Sequence, residues 1–177
     1  MSINGIGVTD FELYLLKTMS PVESLLAGAL NDLNRTSDDM IACFEAISPL
    51  VRVRPGSAES LKLILSDAFL GEGLHGAGPG TFSYRLPLWP ELAFQVTPAG
   101  SGLYIGEAKF SRTEISKMKP EPTVWNFLES DVNEAFDQVR EVDMWGHYAS
   151  YLAQDRIAGE RYFLRFAWGL LQEIGKA

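Results

Sequence analysis

Glu107 and Lys109 stand two apart at the end of an apolar run, LYIGEAKF (103–110). Alternate residues of a strand share a face. Leu103, Ile105, Glu107 and Lys109 therefore project one way, and Tyr104, Ala108 and Phe110 the other. A second carboxylate, Glu91, follows Pro90 at the start of the preceding strand-like run, ELAFQV (91–96). Carboxylate oxygens gathered at one point suit a hard divalent cation. Such a cation generates a nucleophile from water and offsets phosphate charge. The same three residues also suit a solvated strand end, or an edge guarded against pairing by its charges.

The layout of proline and acid, hairpin, then Glu-x-Lys resembles the core of the PD-(D/E)xK nuclease-like families. It covers residues 90–110. The resemblance implies that Glu91 and Glu107 hold Mg²⁺ and that Lys109 positions the attacking water. It departs from the pattern at Glu91, where those families have Asp, and the longer side chain would shift the metal. Many of these families place a Gln or Tyr on a helix after the lysine strand, a position Gln138 could take.

A second constellation is acidic. Residues 121–143 contain Glu121, Glu129, Asp131, Glu134, Asp137, Glu141 and Asp143 against Arg140 alone. Read as a helix, the segment lines Asp131, Glu134, Gln138 and Glu141 along one stripe. A negative stripe steers toward a basic partner. Asp131, Glu134, Asp137, Glu141 and Asp143 are thus the expected partner-binding residues, unless the stripe is merely a solvated face.

Other patterns exclude chemistries. Gly71-Glu72-Gly73-Leu74-His75-Gly76 spells GxGxxG. A dinucleotide fingerprint follows a strand and opens a helix, whereas this one follows a helical segment. One cysteine and two distant histidines, His75 and His147, lack zinc-site spacing. Cys43, within IACFEAI, reads as a small core residue. His147, beside Trp145, Tyr148 and Tyr151, reads as a packed helix residue. Lys109, Arg112, Lys117 and Lys119 form a basic group that could meet phosphate, an acidic protein or only water.

The elements that would position these groups are signalled by caps and periodicity. Thr9-Asp10-Phe11-Glu12 and Ser20-Pro21-Val22-Glu23 have capping-box spacing and open helices over 10–17 and 21–34. Ser37 with Asp38 and Asp39 opens another, which Ser48-Pro49 stops. A fourth spans 57–70. Residues 71–80, with five glycines, fit no regular element. TFSYRL, ELAFQV and LYIGEAKF are strand-like, with Pro87 and Pro90 marking the first as an edge or a separate strand. Val132, Ala135, Phe136, Val139 and Val142 then repeat at helical spacing, predicting a helix over 131–157. A last, nearly all-apolar helix is predicted over 160–175.

The expected fold is therefore α+β in one domain. A small antiparallel meander of about three strands (81–110) is flanked by helical groups at 9–70 and 123–175. The 177 residues suffice for one core. A net charge of −8 excludes a surface that grips nucleic acid all over. The N-terminus lacks a basic, apolar leader, and no apolar run is long enough to cross a bilayer, so a soluble, cytoplasmic protein is expected. The expected function is a small acidic protein-binding module of inhibitor, immunity or adaptor type. It would use the acidic face or the aromatic C-terminal helix, take a basic protein partner and need no cofactor. The alternative is the Mg²⁺-dependent nuclease, the only reading with nucleic acid as partner.

Overall fold

A computed structural model describes residues 5–52, 54–74, 78–113 and 121–177. His75 and Gly76 of the GxGxxG stretch, and Lys117 and Lys119 of the basic group, lie outside the described residues. The chain divides into two compact units, Met1–Ala108 and Lys109–Ala177.

The first unit begins with helices α1 (Val8–Met19), α2 (Glu23–Asp32), α3 (Ser37–Val51) and α4 (Ser57–Ile64). Their starts differ in detail from the sequence signals. Gly7 caps α1, its N–H donating to Asp10 Oδ2 at 2.9 Å. Glu12 is thereby freed from capping and is buried. Ser20 ends α1 in a left-handed conformation instead of opening α2. At α3 the box is reciprocal. Thr36 Oγ1 accepts from the Asp39 N–H, and Asp39 Oδ2 accepts from the Thr36 N–H. The helix runs through Pro49, because a proline in the last turn forfeits only one backbone bond.

Four strands follow: β1 (Phe69–Glu72), β2 (Phe82–Tyr84), β3 (Leu92–Ala99) and β4 (Tyr104–Arg112). They form an antiparallel sheet in the order β1-β2-β3-β4. β4 crosses the boundary between the units, which falls after Ala108. The three predicted strands are present, but the first of them, β2, lies between β1 and β3 and is neither an edge nor separate, because Pro87 and Pro90 fall after its end. β1 is an addition, occupying the end of the predicted fourth helix and the start of the glycine-rich stretch. Leu92 to Val96 are all buried, so β3 is covered on both faces there. The Phe11 and Phe94 rings meet edge-on at 5.5 Å.

The second unit overturns the predicted C-terminal helices. Among its described residues only α5 (Val132–Ala135) and the single 3-10 turn before it, Glu129–Asp131, are helical. α5 leads into β5 (Phe136–Trp145), β6 (Tyr148–Asp155), β7 (Arg161–Ala167) and β8 (Leu170–Lys176). These form a second four-stranded antiparallel sheet, in chain order. The architecture is α+β with two sheets, not one meander between helical groups. Turn chemistry explains the outcome. Trp168 and Gly169 have φ of 54° and 72°, the paired left-handed conformation of a two-residue type I′ hairpin. Gly146, at φ 61°, opens the β5–β6 turn. Asp155 Oδ1 accepts from the N–H groups of Ile157 and Ala158, an Asx turn that starts the β6–β7 loop. Ala149, Ala153, Leu164, Phe166 and Leu171 pack with Phe127, Val132 and Phe136 into the unit's core. The chain at 125–129 runs beside β8, with Trp125 N–H donating to the Leu171 carbonyl and Leu171 N–H to that of Phe127. Among the described residues no helix is long and apolar enough to cross a membrane.

Candidate functional site

The acidic residues of 121–143 lie around and along an edge strand, not on a helix. Among the described residues β5 pairs only with β6, and its ten residues oppose eight. Two bulges absorb the excess, one between Asp137 and Arg140 and one between Glu141 and Asp143. Gln138, in the first bulge, has φ of 48°, an uncommon conformation for a residue with a Cβ. It stands in a strand, not on a helix following the lysine strand. A bulge also re-aims the side chains after it. Glu141 is opposite Tyr151, on the face that carries Ala149 and Ala153 into the core. Asp143 is opposite Ser150, on the other face. The single stripe expected of a helix therefore does not exist.

The five predicted partner-binding residues have different occupations. Asp131 is half-buried and serves the scaffold. Its Oδ2 lies 2.6 Å from Arg112 Nη2 and accepts from the Leu128 N–H at 3.0 Å. Asp137 is paired with Arg156 at 3.0 Å. Glu134, Glu141 and Asp143 are exposed. Of their unpredicted neighbours, Glu129 accepts the Tyr151 hydroxyl at 2.5 Å. Burial and that carboxylate raise the tyrosine's pKa.

Sequence reasoning passed over the apolar part of this edge. Val142 is 49% exposed, Met144 55% and Trp145 76%. They sit among Glu141 and Asp143 at the open end of β5 and beside its turn. Val142 and Trp145 were visible in the sequence, but at helical spacing they read as core. At the same end, His147 lies in the β5–β6 turn, not in a helix. Its ring stacks on Trp168 at 4.3 Å and 10°. The predicted C-terminal docking helix is β7 and β8, whose Leu164, Phe166, Leu170 and Leu171 are buried.

Glu107 and Lys109 are both exposed on β4, with the alternation their spacing predicted. Glu91 precedes β3. A Cβ built on Gly106 would lie 2.9 Å from Ala99 Cβ and 3.0 Å from the Thr97 carbonyl. Gly106 is therefore level with the Thr97–Ala99 end of β3. Glu91 stands beyond the opposite end, about six residues from the level of Glu107, or roughly 20 Å along the ladder. That separation lends no support to a metal shared by Glu91 and Glu107. Among the described residues no group of three or more His, Cys, Asp or Glu could hold a metal ion.

Cys43 is half-buried, with Sγ 3.6 Å from Asp10 Oδ1. Burial and the nearby aspartate push its thiol up to about 11, far from the thiolate a nucleophile requires. Comparison of the chain with protein-family models, curated proteins and solved structures returns no match.

Proposed function

We propose that the chain is a protein-binding module and that its binding element is the edge strand β5 with the adjoining β5–β6 turn. The observation that carries this reading is the exposure of Val142, Met144 and Trp145 on a strand edge that no other described strand covers, interleaved with Glu141 and Asp143. Exposed apolar patches rimmed by polar groups mark interaction sites, and tryptophan is enriched at interface hot spots. An open edge offers backbone N–H and C=O groups to an incoming strand. Flanking carboxylates favour a basic one. The partner is thus a protein that presents an extended segment with Lys or Arg beside apolar residues. On this reading the chain is of inhibitor, immunity or adaptor type and acts by occupying another protein through a strand edge.

The test is site-specific photo-crosslinking from position 142 or 144 in cells, followed by reconstitution with the purified partner. Position 173, on the opposite edge strand, is the control. A partner cross-linked from β5 alone, and bound in purified form through a basic segment, supports the proposal. Equal cross-linking from both edges, or none from β5, refutes it.

A further inference from the structure

The outer face of the second sheet carries a cleft, one wall of which is Gln138 and Arg140 of β5, before the exposed Val142–Trp145 end of that strand. It measures about 270 Å³ and is lined by Gln138, Arg140, Leu152, Ala153, Gln154 and Arg161. The register explains the convergence. Arg140 on β5 is directly opposite Leu152, and Arg161 on β7 is directly opposite Gln154. Leu152 and Gln154 are two apart on β6, so all four share one face. The two arginines flank β6 diagonally, within the reach of their long side chains toward a common point above Leu152. The first bulge of β5 supplies the remaining wall, Gln138.

The charges on this face are unbalanced. The nearest carboxylates are already taken, Asp137 by Arg156 at 3.0 Å and Glu160 by Lys176 at 2.6 Å, and in the next row Glu173 is paired with Arg165 at 3.2 Å. Asp143, one row further along, makes no ion pair with Arg140, and among the described residues neither Arg140 nor Arg161 has a carboxylate partner. Two like charges set around one cleft repel each other unless an anion lies between them. In a chain with a net charge of −8, an uncompensated arginine pair is a local reversal of sign.

We infer that this cleft binds a small oxyanion-bearing ligand, its phosphate or carboxylate group held between Arg140 and Arg161. The planar guanidinium fork matches either oxyanion with two parallel hydrogen bonds. The Gln138 amide offers a further donor. Gln154 Nε2 donates to the Gly159 carbonyl at 2.9 Å, which leaves Gln154 Oε1 to accept from a ligand hydroxyl. Leu152 provides an apolar floor for the ligand's body. The volume falls just below the range of about 300–1,000 Å³ usual for ligand sites, so the ligand is small. The inference shares β5 with the edge-strand proposal but none of its exposed apolar residues Val142, Met144 and Trp145, and it needs no partner protein.

The experiment is an NMR titration of the intact chain at constant ionic strength, following arginine Nε–H and glutamine side-chain resonances. Inorganic phosphate, succinate and sodium chloride are added in separate series. The inference expects saturable shifts at Arg140, Arg161 and Gln138 with phosphate or succinate but not with chloride; which of the two saturates first identifies the oxyanion. Arg140→Gln and Arg161→Gln should each weaken binding at least about tenfold. Arg161→Lys, which keeps charge and bulk but lacks the fork, should weaken it less. Shifts that stay linear in every series, or binding that survives in the folded double glutamine variant, would overturn the inference. Should a glutamine variant unfold, the lysine variant at each position decides alone: undiminished affinity in both overturns it.

Discussion

Single carboxylates in this chain have separable roles, and substitutions distinguish them. Glu12 is fully buried on α1, accepting from the Leu88 N–H at 2.6 Å through Oε1, while Oε2 has no partner among the described residues. Burial dominates over that hydrogen bond and raises its pKa to about 7. The folded state therefore holds the proton more tightly than the unfolded chain, whose carboxyl titrates near 4.5. Stability from this group is full below about pH 4.5 and is lost as pH rises through about 7, by up to roughly 3 kcal/mol. Urea unfolding at pH 5 and pH 8 should show the loss, and Glu12→Gln should remove most of it. A slope unchanged in the variant would place the titration elsewhere. Asp131 is the second case. Asp131→Ala breaks a half-buried ion pair and a backbone acceptor, and should cost about 1–3 kcal/mol in thermal or urea unfolding. Glu134→Ala, at an exposed position, should stay within about 0.5 kcal/mol. Glu107 and Lys109 give a negative expectation: the purified chain with Mg²⁺ should leave plasmid DNA intact. Metal-dependent cleavage that disappears in Lys109→Ala would restore the nuclease reading.

Among the elements, the N-terminal helices were legible in extent, although their caps fall at Gly7, Val22 and Thr36 and not at the residues the spacing marked, and three strands of the first sheet were legible because alternation is a local signal. Thr36 to Asp39 closes a capping box in the structure, and Leu92, Phe94 and Val96 lie in a strand as read. The C-terminal half was not legible, for a physical reason. Val132, Phe136, Val139 and Val142 fit a helical period, yet only Val132 is helical, in α5, while the other three lie in the extended, bulged β5. Short apolar runs such as YFLRFAW do not distinguish a buried helix from a strand. The deciding signals were the aromatic density of β6 and β7, which favours strands, and two-residue turns at Gly146-His147 and Trp168-Gly169. The acidic residues of the candidate site were visible as residues, but their division between two faces depends on bulges that no local pattern announced. Gly169 tests the turn assignment. Its φ of 72° strains any side chain, and an added Cβ would meet Lys109 Cβ at 3.4 Å. Gly169→Val should destabilise by at least about 1 kcal/mol, and Gly175→Ala, where a Cβ meets nothing within 4 Å, by much less. Equal losses would contradict a turn built on that glycine.

At the scale of the whole molecule, the net charge is unevenly held. Residues to Ala108 carry twelve acids and six bases; those from Lys109 carry eleven and nine. The second unit is thus close to balanced, and the acidity of β5 is local. Local charge acts over about one Debye length, roughly 8–10 Å in physiological salt. It should speed association with a basic partner and lose that effect as salt rises, while the apolar contacts at Met144 and Trp145 govern dissociation. The charged pair Glu141 and Asp143 and the apolar Trp145 therefore make distinct kinetic signatures. The most direct measurement is binding kinetics of the purified, β5-cross-linked partner against wild type, Trp145→Ala and Glu141→Lys/Asp143→Lys. Trp145→Ala should weaken affinity at least about tenfold through faster dissociation, and the charge reversal should slow association and flatten its salt dependence. Unchanged affinity in both folded variants would contradict the assignment of β5 as the binding element.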